Sequence, residues 1–267
     1  MEDSHTHILS LPDDPGTAFF GVYDGHGGSK IAEYAGKHLH KYVTKRPEYK
    51  LGNVEEALRR GFLDLDSAMA QDVSLKNEIA GTTAVTVLIK GNKLFCANAG
   101  DSRAIASVAG RVDVLSLDHK PSNRKEARRI QAAGGWVEFN RVNGNLAVSR
   151  ALGDFAFKKD ERKRGEGQMV IAYPDVEVRE ITPSLEFLVI ACDGIWDVMT
   201  NEEVVAFVRS SIANGVDPKD ICESLMTRCL APDCEMGGLG CDNMTVILVC
   251  FLHEKPYRDL VTRCASN

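Results

Sequence analysis

The sequence predicts an α+β fold built in layers, and three observations support this prediction. Residues 82–89 and 93–99 are β-rich segments joined by a tight turn, and similar hairpin patterns recur along the chain. Residues 29–44 and 54–69 have the apolar spacing of amphipathic helices. No strand is followed by a Gx₄GK[ST] loop or a GxGxxG turn, so a nucleotide-binding parallel sheet is not indicated. Hairpin strands mixed with helices are typical of antiparallel sheets covered by helices.

The first half of the chain changes from helical to strand periodicity. A strand at residues 18–23 leads into the first helix. The second helix places Ala57, Leu58 and Phe62 on one side. The β-rich segments that follow predict a continuous antiparallel meander, with strands at residues 82–89, 93–99, 102–108 and 111–115.

The second half continues the mixture of strands and helices. A capping box at Thr200 and Glu203 begins a helix that extends to about Ala213. Asp217-Pro218 begins another helix, which ends near Leu230. Residues 244–252 are apolar throughout, so we expect this last strand in the centre of a sheet. The remaining predicted elements are a short helix at 125–133 and strands at 136–139, 175–181 and 186–191.

The composition limits the class of protein. A chain of 267 residues without a Pro/Ser/Gly-rich linker or internal repeat suits one domain spanning residues 1–267. The net charge of −6 argues against nucleic acid as a partner, since that binding depends on positive surface. No apolar run reaches the ~18–20 residues of a transmembrane span. We expect a monomer in the cytoplasm or nucleus.

The eight cysteines do not form a zinc motif. None occurs in a C-x-x-C pair, and several lie inside apolar segments, where cysteine packs as a small core residue. The simplest interpretation is a reducing compartment.

The strongest functional signal is a set of acids at the ends of apolar runs or in tight turns. Asp24 and Asp193 each follow an apolar strand and precede a glycine, and Asp242 precedes the last strand. Asp101 ends another apolar run, and Glu2-Asp3 opens the chain. Acids at strand ends can converge in space, and a cluster of carboxylates without balancing bases repels itself unless cations bind it. All-oxygen ligands suit Mg²⁺ or Mn²⁺, so the pattern predicts a catalytic metal site.

Each acid alone has an ordinary structural interpretation. Asp-Gly is a common turn, and an acid before a buried strand needs no ligand. Asp24 is stronger evidence, because His26 and two further glycines follow Gly25. Glycine lets a backbone carbonyl approach a metal ion. The functional prediction therefore rests on the combination of acids.

Eight segments, in this order, carry a resemblance that covers nearly the whole chain. They are residues 1–3 (MED), 20–28 (FGVYDGHGG), 81–84 (GTTA), 97–103 (ANAGDSR), 118–121 (DHKP), 146–154 (LAVSRALGD), 191–197 (ACDGIWD) and 241–245 (CDNMT). Together they closely resemble the metal-dependent type-2C protein serine/threonine phosphatases, the PPM family.

The resemblance implies a fold and a ligand set. The fold would be two packed antiparallel β-sheets flanked by helix pairs, with two Mg²⁺ or Mn²⁺ ions in the cleft between the sheets. Asp24 would bridge the ions. The other roles implied are Asp193 and Asp242 as ligands of one ion, Glu2 and the Gly25 carbonyl as ligands of the other, Asp101 with Asp193 at a weaker third ion, Asp3 as the residue orienting the attacking water, and His26 as the general acid.

The resemblance also implies the reaction. Phosphoserine and phosphothreonine on proteins would be hydrolysed by in-line attack of a hydroxide that bridges the two ions. Such an enzyme would act in signalling. Two alternatives stay open: a metal-dependent phosphodiesterase or nuclease, which would favour a basic groove, and a catalytically impaired binding module on the same scaffold.

Two regions depart from the pattern or vary within it. Family members carry a first strand and a phosphate-binding arginine before the Met-Glu-Asp run, and this chain begins at Met1. We expect weak activity and an unpaired sheet edge unless Arg150 or Arg103 substitutes as the phosphate anchor. The flap is expected at about residues 155–173. Its basic stretch, 158–164, is either a solvated loop or a docking patch for acidic phosphopeptides.

Overall fold

The computed structural model describes residues 1–75, 78–160, 162–163, 165–235 and 237–266. The strands are β1 (Ser4–Ile8), β2 (Thr17–Tyr23), β3 (Gly25–His26), β4 (Gly81–Thr82), β5 (Ala84–Lys90), β6 (Lys93–Ala99), β7 (Arg103–Val108), β8 (Arg111–Val114), β9 (Val137–Glu138), β10 (Arg141–Val142), β11 (Leu152–Gly153), β12 (Asp175–Glu180), β13 (Leu185–Ala191) and β14 (Val246–Cys250). The helices are α1 (Lys30–Thr44), α2 (Pro47–Lys50), α3 (Val54–Gln71), α4 (Arg124–Ala132), α5 (Asp193–Trp196), α6 (Asn201–Ala213), α7 (Pro218–Cys229) and α8 (Tyr257–Ala265). None of these described helices is long and apolar enough to cross a membrane.

Two antiparallel sheets form the centre of the molecule. The first has the strand order β1-β2-β5-β6-β12, and the second has the order β14-β13-β7-β8. Smaller ladders join β11-β4-β3 and β10-β9. The predicted α+β class with antiparallel sheets is confirmed.

The inner strands β2, β5 and β13 have apolar side chains on both faces, because each sheet is covered twice. On β2, Phe19 and Tyr23 pack with the α1 and α3 side chains, whereas Phe20 and Val22 pack into the core between the sheets. On the other side, β13 contributes Phe187 and Val189 to a core shared with α6, α7 and α8. The layers are therefore helices, sheet, sheet and helices. The second helical layer contains α8 in addition to the predicted pair.

The meander prediction was wrong in its connectivity. The hairpin β5–β6 belongs to the five-stranded sheet, whereas β7–β8 belongs to the four-stranded sheet. The chain crosses from one sheet to the other at Gly100-Asp101-Ser102. Gly100 has a φ of 127°, and a Cβ there would lie 2.5 Å from the Thr83 Cβ, so the crossing depends on glycine. Periodicity identifies hairpins but not the sheet that contains them.

The prediction of a central last strand was also wrong, because β14 lies at one edge of the four-stranded sheet. Its side chains are apolar because both faces are covered. Ile247 and Val249 pack toward the core between the sheets, and Val246, Leu248 and Cys250 pack toward the helices. An apolar run thus indicates that both faces of a strand are covered, but it does not indicate that the strand is central in its sheet.

Cys234 and Cys241 form a disulfide in the loop that precedes Asp242. The expectation of unpaired thiols in a reducing compartment did not include this pair. The other cysteines are free, and Cys96, Cys192, Cys229 and Cys264 are buried as expected of small core residues.

A buried ion-pair network fixes the base of the flap. Glu126 is 3% exposed and accepts hydrogen bonds from Arg129, Arg150 and the Ser149 hydroxyl. Burial alone would raise the pKa of Glu126, but the hydrogen bond and charge of Arg150 and the charge of Arg129 outweigh it, so the pKa falls to about 2. The network joins α4 to the segment leading into β11.

We predict that Glu126→Gln destabilises the protein by about 3 kcal/mol at pH 7, because Arg129 and the buried Arg150 lose the carboxylate that they share, and only Arg150 keeps a second acidic partner, Asp175. The pKa of Glu126 is lower in the folded state, so its contribution is complete above the unfolded value of 4.5 and declines as the pH falls toward about 2. Urea unfolding of the variant and wild type should therefore differ most near neutral pH. Glu138→Gln, at an exposed site, is the matched control. A destabilisation equal to that of the control would contradict the role of the network.

Candidate active site

The register of the two sheets brings the predicted acids to one end of the molecule. In the first sheet, Val22 pairs with Val85 and Ala84 pairs with Ala99, so Asp24 and Asp101 follow the ends of β2 and β6, the two strands that flank β5. In the second sheet, Ala191 pairs with Val246 and with Arg103, so Asp193 and Asp242 lie at the same end. Asp101 is shared, since it lies at the crossing between the sheets.

The N-terminal segment is bound to this end by two hydrogen bonds. The Glu2 N–H donates to Asn243 Oδ1 at 2.7 Å. The Thr245 hydroxyl donates to Asp3 Oδ2, also at 2.7 Å. Glu2 and Asp3 are therefore placed beside the acids from the sheets although 241 and 242 residues separate each from its partner.

Two glycines are required for this close approach. A Cβ on Gly25 would lie 2.2 Å from the Glu2 carbonyl oxygen, and one on Gly194 would lie 2.3 Å from the Asn243 carbonyl oxygen. Real Cβ atoms do not approach backbone this closely. The Asp-Gly pairs at 24–25 and 193–194 thus let four chain segments meet, the other two being those around Glu2 and Asn243.

The carboxylates repel each other at close range. Burial and the charges of Asp193, Asp3 and Asp101 raise the pKa of Asp24 to about 9. Burial and the charges of Asp101, Asp197 and Asp242 raise the pKa of Asp193 to about 6. Burial is also the main cause of the raised pKa of Asp3. Each shift shows that an unneutralised carboxylate is disfavoured here.

The donor set fits hard divalent cations. Asp3 Oδ1 is buried and has no hydrogen-bond partner among the described residues. The oxygens available come from Glu2, Asp24, the Gly25 carbonyl, Asp193 and Asp242. Oxygen-only sets of this kind suit Mg²⁺ or Mn²⁺.

Lys120 partly neutralises the acid cluster. Its ammonium pairs with Asp101 Oδ2, and Asp101 is only 3% exposed. Burial would lower the pKa of Lys120, but the charge and hydrogen bond of Asp101 outweigh it and raise the pKa. Asp101, predicted at a third ion, therefore has a protein cation as its partner in this structure.

His26, on β3, lies beside the acid cluster. Its Nε2 atom is 2.8 Å from Asp154 Oδ2. Burial alone would lower the pKa of His26, but the hydrogen bond and charge of Asp154 and the charges of Asp101 and Glu2 raise it. His26 is thus near the cluster and carries an acidic partner.

Sequence analysis missed three residues of this site as functional candidates: Lys120, Asp154 and Asp197. Asp197 ends α5, which begins at Asp193, where a turn was expected. Spacing of four residues places Asp193 and Asp197 on one side of that helical turn, and this spacing was the available signal. Lys120 and Asp154 lie in two of the segments that carry the resemblance, but no role was assigned to them, because their partners Asp101 and His26 are distant in sequence.

The two arginines considered as phosphate anchors are held by ion pairs. Arg150 is buried and binds Glu126 and Asp175. Arg103 forms a two-point hydrogen bond with Asp118 and also binds Asn201. Their guanidinium groups thus stabilise the surrounding loops.

The basic stretch of the flap is also partly engaged. Lys158 pairs with Asp66 at 2.8 Å, Lys163 donates to the Ala132 carbonyl, and Arg162 pairs with Asp160. Glu161 and Arg164 lie outside the described residues. Lys158 therefore anchors the flap and is not free to form a docking patch.

Comparison with known proteins gives one consistent result. The profile of the family Protein phosphatase 2C matches residues 1–237. Probable protein phosphatase 2C T23F11.1 of Caenorhabditis elegans is 63% identical over 99% of this chain and 74% of its own length. Protein phosphatase 2C homolog 2 of Hypocrea jecorina is 50% identical over the whole of this chain but only 64% of its own length.

A solved structure agrees with these matches. A phosphatase from a pathogenic strain of Toxoplasma gondii superposes with a TM-score of 0.79 and 28% identity, covering 94% of this chain and 88% of its own. With the family profile and the curated relatives, this shows that the chain belongs to the protein phosphatase 2C family of metal-dependent protein serine/threonine phosphatases.

Proposed function

We propose that this chain removes phosphate from phosphoserine and phosphothreonine in proteins, using two Mg²⁺ or Mn²⁺ ions held by Glu2, Asp24, the Gly25 carbonyl, Asp193 and Asp242. The observation that carries the proposal is the convergence of these acids, where burial and the charges of neighbouring acids raise the pKa of Asp24 to about 9. Bound divalent ions would supply neutralisation of the phosphate charge and activation of the attacking water.

Asp24 is the central residue of the proposed site. The charges of Asp193 and Asp3, which come from different segments, both raise its pKa, so its carboxyl group lies near both. A carboxylate has two oxygens, so Asp24 can serve two ions at once.

Asp3 and His26 act on protons. Asp3 uses Oδ2 to accept from Thr245 and leaves Oδ1 unpaired, so Oδ1 can accept a hydrogen bond from the attacking water and orient it. His26 holds a proton that it can donate to the departing serine or threonine oxygen, a role worth roughly 10²–10⁴-fold in rate.

The alternatives gain no support from the site. A phosphodiesterase would favour a basic groove, yet Lys120, Arg103 and Arg150 are all paired with acids. A binding module without activity would be favoured by a missing acid, and the sequence carries every acid of the family pattern described above.

We predict that Asp24→Asn abolishes Mn²⁺-dependent hydrolysis of a phosphoserine peptide, because an amide bridges two cations poorly. The metal-free variant should melt no lower than wild type, because the amide replaces a carboxyl group whose charged form is disfavoured at this position. Asp13→Asn, at an exposed site, should retain full activity. Near-wild-type turnover by Asp24→Asn would contradict the bridging role.

We predict that His26→Ala slows hydrolysis of phosphoserine peptides at least tenfold more than hydrolysis of an aryl phosphate. An aryl leaving group needs no proton, whereas the serine oxygen does. Steady-state kinetics with both substrates test this, with the exposed His7→Ala as control. Equal slowing of both substrates would rule out the general-acid role.

We predict that Asp101→Ala still binds Mn²⁺ at the core site but turns over slowly even at high Mn²⁺. The substitution removes the proposed third-ion ligand and the partner of Lys120. Calorimetry measures binding, and peptide hydrolysis over a range of Mn²⁺ concentrations measures turnover. Wild-type turnover would mean that Asp101 only supports the crossing between the sheets.

A further inference from the structure

Asp154 is a buried acid that has no role in the reaction proposed above. It follows β11 and is 4% exposed. Its backbone is left-handed, with φ of 51°, which is uncommon for a residue other than glycine. Among the described residues, His26 is the only side chain that hydrogen-bonds to its carboxylate. A buried carboxylate in a rare backbone conformation, with His26 as its one side-chain partner, indicates a functional role for the pair.

The small ladder of β3, β4 and β11 holds His26 and Asp154 next to each other. His26 on β3 and Gly153 on β11 both pair with Gly81 on β4, so the histidine and the aspartate approach from opposite sides of one glycine. The Asp154 N–H also donates to the Ala80 carbonyl at 3.1 Å.

Gly81 must lack a side chain for the pair to form. A Cβ at this position would lie 2.1 Å from Asp154 Oδ2 and 2.5 Å from His26 Nε2. Its backbone φ is not in the left-handed region, so space, and not conformation, explains the glycine. The absent side chain leaves the room that the hydrogen bond occupies.

The geometry also assigns the two nitrogens of the imidazole. A carboxylate only accepts hydrogen bonds, so His26 Nε2 carries the proton that is shared with Asp154. Nδ1 is then the nitrogen left to give a proton to the substrate. A carboxylate that fixes the orientation and tautomer of a catalytic histidine is an established device in other enzymes.

We propose that Asp154 is a positioning residue that holds His26 with Nδ1 directed toward the leaving group. This inference rests on the proposed function, in which His26 donates that proton. Among the described residues, the Asp154 carboxylate hydrogen-bonds to His26 and to none of the proposed metal ligands. Its loss should therefore resemble a weaker form of the loss of His26.

The first test compares Asp154→Asn and Asp154→Ala with wild type on two substrates. For a phosphoserine peptide we expect kcat to fall roughly 10–100-fold with little change in KM, the range typical of residues that orient a functional histidine. Hydrolysis of an aryl phosphate should change less than about threefold, because its leaving group needs no proton. Melting temperature and calorimetric Mn²⁺ affinity should match wild type, which separates positioning from a loss of fold.

The second test changes Gly81, which lies between His26 and Asp154. Gly81→Ala should separate His26 from Asp154 without altering either residue, and should give the same substrate-selective loss. Gly167→Ala is the matched control, because a Cβ there has only ordinary contacts. This variant keeps the proposal testable if Asp154→Ala folds poorly.

The double variant His26→Ala/Asp154→Ala shows whether the two residues act together. If Asp154 acts through His26, adding its substitution to His26→Ala should cause no further loss of peptide hydrolysis. Additive losses, or equal slowing of both substrates by Asp154→Asn, would overturn the inference. If His26→Ala itself fails to distinguish the substrates, the general-acid role in the proposed function is wrong instead.

Discussion

Repulsion among carboxylates at the shared end of two sheets is the constraint on which the rest of this structure depends. Asp24, Asp193 and Asp3 all have raised pKa values because burial and neighbouring acids disfavour their charged forms. Holding such groups together costs electrostatic free energy in the folded state. The hydrophobic layers on both faces of each sheet supply the stability that permits it.

The scaffold holds the acids by backbone geometry more than by side-chain contacts. Gly25 and Gly194 let segments approach where any Cβ would clash. The Asp24 carbonyl accepts from the Thr83 N–H, which fixes the end of β2 against the strand beside it. Asn243 holds the N-terminal segment. Pre-positioned ligands of this kind need little rearrangement when cations bind.

Most helices, strands and site acids could be predicted from the sequence, and the features that could not be predicted share a physical cause. Helices such as α1 and α6 were predicted because amphipathic spacing and a capping box are local signals. Asp24, Asp101, Asp193 and Asp242 were found because each follows or precedes an apolar run, whereas the roles of Glu2 and Asp3 came from the family resemblance. The edge position of β14, the division of the hairpins between two sheets and the disulfide all depend on partners distant in sequence. The role of Asp154 was missed for the same reason, since only folding brings its carboxylate next to His26 and Gly81.

The central claim is that the acid cluster requires divalent cations, and Mn²⁺ binding to the chelator-treated protein tests it most directly. Calorimetry combined with thermal melting should show at least two Mn²⁺ ions bound per chain. The melting temperature should rise with Mn²⁺ concentration, because the ions bind only the folded state. Phosphopeptide hydrolysis should appear together with binding. Absence of Mn²⁺ binding, or full hydrolysis in the continued presence of chelator, would contradict this account.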